Sequence, residues 1–167
     1  LEGRKAESGH SSHCHSHYFR DRQRSDSFFG SDQRWNEICI ASGRAFPVLA
    51  AVDPDYTFQM PWPVTLSTGL DALAHAMEGY ISLRANPITD FLALEAIHQI
   101  RTALPELKMN PENPTARAVM SQASVYAGIV ISQASTTLGH PMGYHVTGHF
   151  GIPHGLATAF FLPWEMD

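Results

Sequence analysis

A chain of 167 residues, 44% hydrophobic and only 16% charged, is long enough for one domain with a real core and too short for two of ordinary size. Its formal net charge of -5, with 11 Lys and Arg scattered along the chain, gives no electrostatic footprint for nucleic acid, and apolar runs such as AGIVI and AFFL fall far short of a membrane span. Cys14 and Cys39 form neither a CxxC nor a disulfide framework, and no stretch has the order of a signal peptide, so a cytoplasmic setting is expected.

Residues 1–35 are rich in Ser, His, Arg, Asp and Gly and show neither a period of two nor one of 3.6, so they read as irregular. The stretch GHSSHCHSHYFRDRQRSDS, from Gly9 to Ser27, is dense enough in His to suggest a metal-binding tail. The pattern changes near Asn36. PVLAAVDP reads as a buried strand stopped at Asp53-Pro54, and beyond Pro63 the periodicity is helical.

In STGLDALAHAMEGYIS, Leu70, Leu73, Ala74 and Met77 make an apolar stripe and Ser67 or Thr68 is a plausible cap, which predicts a first helix over 67–83. Asn86-Pro87 breaks it. Thr89 can cap a second helix whose face is Phe91, Ala93, Leu94, Ile97, Ile100 and Leu104, ending at Pro105. A third begins after Pro114 and carries Ala118, Met120, Ala123, Val125, Ile129 and Val130 towards Leu138. A short apolar segment over 155–162 follows. Helices with so little charge and so many small residues are expected to be buried on most sides, as in a larger bundle than three helices make. A mainly α fold and a partial domain are therefore expected.

Chemistry concentrates in two places. Asp71, His75 and Glu78 fall at helical spacing, and Asp71 and His75 stand one turn apart on one face, where both could ligate one ion. Their neighbours Leu70, Ala72, Leu73, Ala74 and Ala76 are apolar or small, a setting in which an uncompensated carboxylate is costly. Downstream, GHPMGYHVTGHFGIPHG holds His140, His145, His149 and His154 among glycines. A carboxylate with imidazoles and no thiolate suits Fe(II) or Zn(II) better than calcium or magnesium. The same four His read equally well as ordinary loop residues, of which at most two need bind anything. No GxSxG, HExxH, GxxxxGK[ST] or GxGxxG motif is present.

VDPDYTFQMP, STGLDALAHAMEGYIS, GHPMGY and GIPHGLATAFFLP, in that order, resemble the iron-containing (group III) alcohol dehydrogenase family over about Ile40 to Pro163. The resemblance implies a two-domain dehydrogenase, an α/β nucleotide-binding domain followed by an all-helical metal domain. On that scheme 36–63 are the linker and the end of the nucleotide-binding domain, and 64–167 are part of the helical domain. It implies four metal ligands, Asp71, His75, His140 and His154, binding Fe(II) or Zn(II), and hydride transfer between an alcohol or aldehyde and NAD or NADP. Where many members have a proton-handling His, this chain has Tyr144, which takes that role by position. Residues that contact the nicotinamide cofactor stay unassigned, and homo-oligomers are expected of the full-length protein. Zinc-using glycerol dehydrogenase or dehydroquinate synthase relatives, and a non-catalytic metal-binding remnant, are the alternatives.

The family's cofactor loop, Pro-Thr-Thr-x-Gly-Thr-Gly-Ser-Glu, belongs shortly before the linker, where this chain has HSHYFRDRQRSDS. Codons permitted for His15 to Ser27, read one base later, spell IPTTSGTGSEVT. A frameshifted segment before about Gly30 is therefore expected, which would make the His-rich stretch accidental.

Overall fold

A computed structural model describes residues 49–166. The His-rich stretch, both cysteines, the irregular segment over 1–35 and the expected frameshift all lie outside the described residues. Within them the chain is helical, with no strand. A 3-10 turn, Pro54–Thr57, precedes α1 (Trp62–Ile81), α2 (Pro87–Met109), α3 (Pro114–Ala134), α4 (Gly139–Phe150), α5 (His154–Ala159) and α6 (Leu162–Met166).

Over its described residues, 49–54, the strand expected through PVLAAVDP is not there. Residues 49–53 run as irregular chain, with Leu49 85% and Val52 54% exposed; no described strand offers the pairing that an extended apolar run needs. The chain turns instead at Asp53, whose side chain accepts from Asp55 N at 3.0 Å.

Helix α1 starts five residues before the expected position, at Trp62, because Pro61 and Pro63 occupy the cap and first turn, where a missing N–H costs nothing. Thr68 therefore lies inside the helix, its hydroxyl donating to Val64 O at 2.9 Å. At the start of α2, Asn86 is the cap and Thr89 its reciprocal partner: the Asn86 side chain accepts from Thr89 N, and Thr89 Oγ1 accepts from Asn86 N. This helix does not stop at Pro105 but runs on to Met109. Ala103, Leu104 and Leu107 on either side of the proline are buried, and their packing outweighs the lost hydrogen bond. Helix α3 ends at Ala134, short of Leu138, where Ser135 turns to a positive φ of 65°.

Alanine builds the centre of the α1, α2 and α3 bundle: Ala72, Ala76, Ala96, Ala123 and Ala127 with Ile100 and Leu104. Small side chains let helix axes come close, and Gly79 takes this furthest, since a Cβ there would lie 2.2 Å from Val130 Cγ1. The faces expected from periodicity are only half right: Ala93, Ile100 and Val130 are buried, whereas Phe91, Leu94, Val125 and Ile129 are exposed. Buried Arg117 ties the start of α3 to that of α1, donating to Pro111 O, Thr65 Oγ1 and Met60 O. Helix α5 packs against α1 and α4, bringing the second half of the described chain onto the face of α1 that carries Asp71. No described helix is long and apolar enough to cross a membrane.

Candidate metal centre

The segment GHPMGYHVTGHF, so rich in glycine, is helical rather than a loop. Pro141 falls in the first turn of α4, where its N–H is not needed, and Gly151, at φ 66°, closes the helix in the left-handed conformation. Gly143 lies inside α4 where Thr158 of α5 comes close; a Cβ there would be 2.6 Å from Thr158 Oγ1. Gly155 does the same against α1, since its Cβ would sit 1.8 Å from Ser67 O and 2.8 Å from Asp71 Cβ. The Pro-His-Gly turn thus needs its glycine so that His154, the first residue of α5, can reach Asp71.

Three side chains from three helices converge. His140 Nε2 lies 3.6 Å and His154 Nε2 3.4 Å from Asp71 Oδ1, and one donor atom from each residue falls within 4.8 Å of the others. Asp71 and His140 are 5% and 1% exposed, and the His154 side chain 26%. The 3.4 and 3.6 Å separations exceed an ordinary hydrogen bond. They approach the ~3.3 Å between two ligand atoms that each bind a tetrahedral ion at about 2.0–2.1 Å. One carboxylate and two imidazoles so spaced, Asp71 and His140 buried and His154 partly so, fit a borderline divalent cation such as Fe(II) or Zn(II).

His75, the other expected ligand, stands beside this group. Its ring stacks on His140 with centroids 4.5 Å apart, and its Nδ1 is 3.8 Å from Asp71 Oδ2. Tyr144 stacks on His154 at 5.3 Å and meets His140 edge-on at 6.2 Å. The two remaining histidines turn outward: His145 and His149 are exposed on α4, with His149 Nδ1 3.0 Å from His145 O.

A carboxylate that spacing alone did not single out completes the surroundings. Glu78, two turns beyond Asp71 and 0% exposed, places Oε1 2.5 Å from His140 Nδ1. The available signal was its position on the Asp71 face of an otherwise apolar helix. Burial opposes charge on His75, His140 and Glu78, and their neighbours decide the outcome. Desolvation lowers His75 to about 4, only partly opposed by Asp71, so that ring is neutral near pH 7. Burial would also lower His140, but Asp71 and Glu78 together outweigh it and raise it to about 9. Burial would raise the Glu78 carboxyl; the hydrogen bond and charge of His140, with the Thr137 N–H, hold it below the usual carboxylate value.

A family model for the C-terminal part of Fe-containing alcohol dehydrogenases matches residues 65–167. Among curated relatives, 1,3-propanediol dehydrogenase of Citrobacter freundii is 40% identical over 127 residues, covering 76% of this chain and 33% of the relative. Of solved structures, the iron-containing alcohol dehydrogenase of Thermotoga maritima aligns with TM-score 0.72 and 47% identity over 78% of this chain and 35% of that one. Sulfoacetaldehyde reductase from Bifidobacterium kashiwanohense, solved in complex with NAD+, aligns with TM-score 0.74 and 38% identity over 75% and 34%. The chain spans about a third of the length of the curated relatives it matches.

Proposed function

This chain belongs to the Fe-containing alcohol dehydrogenase family, and we propose that it carries the metal- and substrate-binding part of an enzyme that moves a hydride between an alcohol or its aldehyde and NAD(P). The observation that supports this best is the convergence of Asp71 Oδ1, His140 Nε2 and His154 Nε2, the first two residues buried and the third partly so, drawn from α1, α4 and α5. We assign these three, with His75 as the fourth, to hold the ion. A divalent cation bound there supplies Lewis acidity towards an alcohol or carbonyl oxygen.

The chain's own residues supply the rest. Asp71 brings negative charge to a site otherwise made of imidazoles, and its burial with His75 and His140 keeps bulk water from the donor atoms. Desolvation keeps His75 neutral, the form in which an imidazole donates a lone pair. Tyr144, half-buried against His154, is assigned to relay the hydroxyl proton of the alcohol, its phenol oxygen taking that proton as its own passes to solvent water, and the reverse on reduction. Iron is the proposed resident ion, because the family model and a solved relative carry it in their descriptions; the donor set alone suits zinc as well. NAD is the proposed cofactor, since one neighbour was solved with NAD+, and a relative from Bacillus methanolicus is described as an NAD-dependent methanol dehydrogenase.

The test is to load the chain with Co(II), whose visible absorption reports its ligands, and to add 1,3-propanediol or propanal. A saturable change in the cobalt bands that Asp71→Asn abolishes is the expected result. Bands that ignore both additives would overturn the substrate half of the proposal.

A further inference from the structure

We propose that Glu78 is a positioning residue for the metal centre, its carboxylate fixing the His140 ring so that Nε2 faces Asp71 and His154, while it helps Glu165 anchor the start of α4. The inference rests on the assignment of Asp71, His140 and His154 as metal donors.

Helix α4 contributes little to any apolar core. Its buried residues are Gly139, His140 and Gly143, and none of the buried core clusters contains an α4 side chain. What holds its first turn is a pair of carboxylates. Glu78 Oε1 meets His140 Nδ1, and Glu78 Oε2 accepts from Thr137 N at 2.6 Å and lies 3.2 Å from Thr137 Oγ1. Glu165, from α6, accepts from Gly139 N and lies 3.1 Å from Thr137 Oγ1. The hydroxyl of Thr137 thus lies between two acidic groups, one reaching in from α1 and the other from α6.

The consequence for His140 follows from donor and acceptor chemistry. An ionised carboxylate only accepts, so the nitrogen facing Glu78 must be the protonated one. In the singly protonated ring the lone pair then sits on Nε2, the atom beside Asp71 and His154. A carboxylate behind a ligating histidine fixes its tautomer and ring angle and raises its basicity. Gly139 is the condition for this approach: a Cβ there would lie 2.8 Å from Glu78 Oε1 and 3.4 Å from Glu165 Oε2. A side chain at 139 would push Glu78 off His140 without altering any donor.

The experiment uses the full chain and its Glu78→Gln, Gly139→Ala and Asp71→Asn variants. Zinc affinity is measured by calorimetry, the His140 tautomer by long-range proton–nitrogen NMR of the zinc-loaded chain, and folding by circular dichroism. Glu78→Gln has one acceptor oxygen for two donors, so we expect zinc to bind about 10–100-fold more weakly with helix content kept. Gly139→Ala should move affinity the same way. Wild-type affinity in both variants would overturn the inference. Should both lose their helix signal, the His140 Nδ1 proton of the wild-type zinc-loaded chain decides: a strongly downfield, slowly exchanging proton, as a carboxylate acceptor produces, supports the role of Glu78, and an unshifted, rapidly exchanging one, or a proton on Nε2, overturns it. A wild-type chain that binds no zinc, or an Asp71→Asn variant that binds it normally, would sink the donor assignment itself. Loss in Asp71→Asn alone would sink only the positioning role.

Discussion

Asp71 sits where a carboxylate is expensive, inside a helix of small apolar residues, and its imidazole neighbours make that position tolerable. Burial lowers both His75 and His140, but the carboxylates of Asp71 and Glu78 reverse the shift of His140, which gives the metal-free chain a pH signature. His140, raised to about 9, contributes stability that is complete below its unfolded value of about 6.5 and is lost as pH rises through 9. His75, lowered to about 4, contributes stability present above about 6.5 and lost as pH falls towards 4. We expect the melting temperature of the metal-free chain to fall on both sides of neutrality, and His140→Gln to flatten the alkaline limb; a wild-type profile level from pH 7 to 9.5 would contradict this. The Asp71 and His75 pair was legible in the sequence because one helix presents both. The choice of His140 and His154 over His145 and His149 came from family resemblance, since it depends on which side of α4 faces α1 and on where Gly155 lets α5 touch down. Glu78 showed only as a residue at helical spacing, and its partner lies 62 positions away.

Element boundaries followed local chemistry where it was unopposed and tertiary packing where it was not. Asn86 and Pro87 start α2 as local rules require, whereas Pro105 fails to stop it because Ala103, Leu104 and Leu107 are buried around it. Over the described residues 49–53, the strand expected through PVLAAVDP gives way to irregular chain for the complementary reason: among the described residues no strand is there to pair with it. Close approach between helices gives a paired test with opposite signs. Gly128→Ala meets nothing within 4 Å and should stabilise α3 by about 0.8–1 kcal/mol. Gly79→Ala drives a methyl group onto Val130 and should cost about 1–3 kcal/mol, both read by urea denaturation. Equal effects at the two sites would show that the α1 and α3 packing is not as tight as described. Arg117→Met should destabilise by about 1–3 kcal/mol through the stranded carbonyls of Met60 and Pro111. The same assay checks it, and an unchanged midpoint would contradict it.

At the scale of the whole molecule, the mainly helical fold was readable from periodicity, because helix signals are local and three long helices carry them. The assembly of the site was not, because it joins the middle of α1 to the starts of α4 and α5. Phe91, Leu94, Phe160 and Trp164 are more than half exposed, and Phe160 and Trp164 line one apolar cleft with Leu138 and Met142, a surface of the kind that takes up a hydrophobic dye. We expect the purified chain to bind an anilinonaphthalene dye even where its melt is cooperative, and absence of dye fluorescence would contradict that surface. The centre itself is tested most directly by calorimetric titration of the anaerobic, metal-free chain with Fe(II) and Zn(II), repeated on Asp71→Asn and on the double variant His145→Ala, His149→Ala. One ion per chain, lost with Asp71→Asn and unchanged in the double variant, is the expected result. Binding that survives Asp71→Asn, or that disappears with His145 and His149, would contradict a metal centre built on Asp71, His140 and His154.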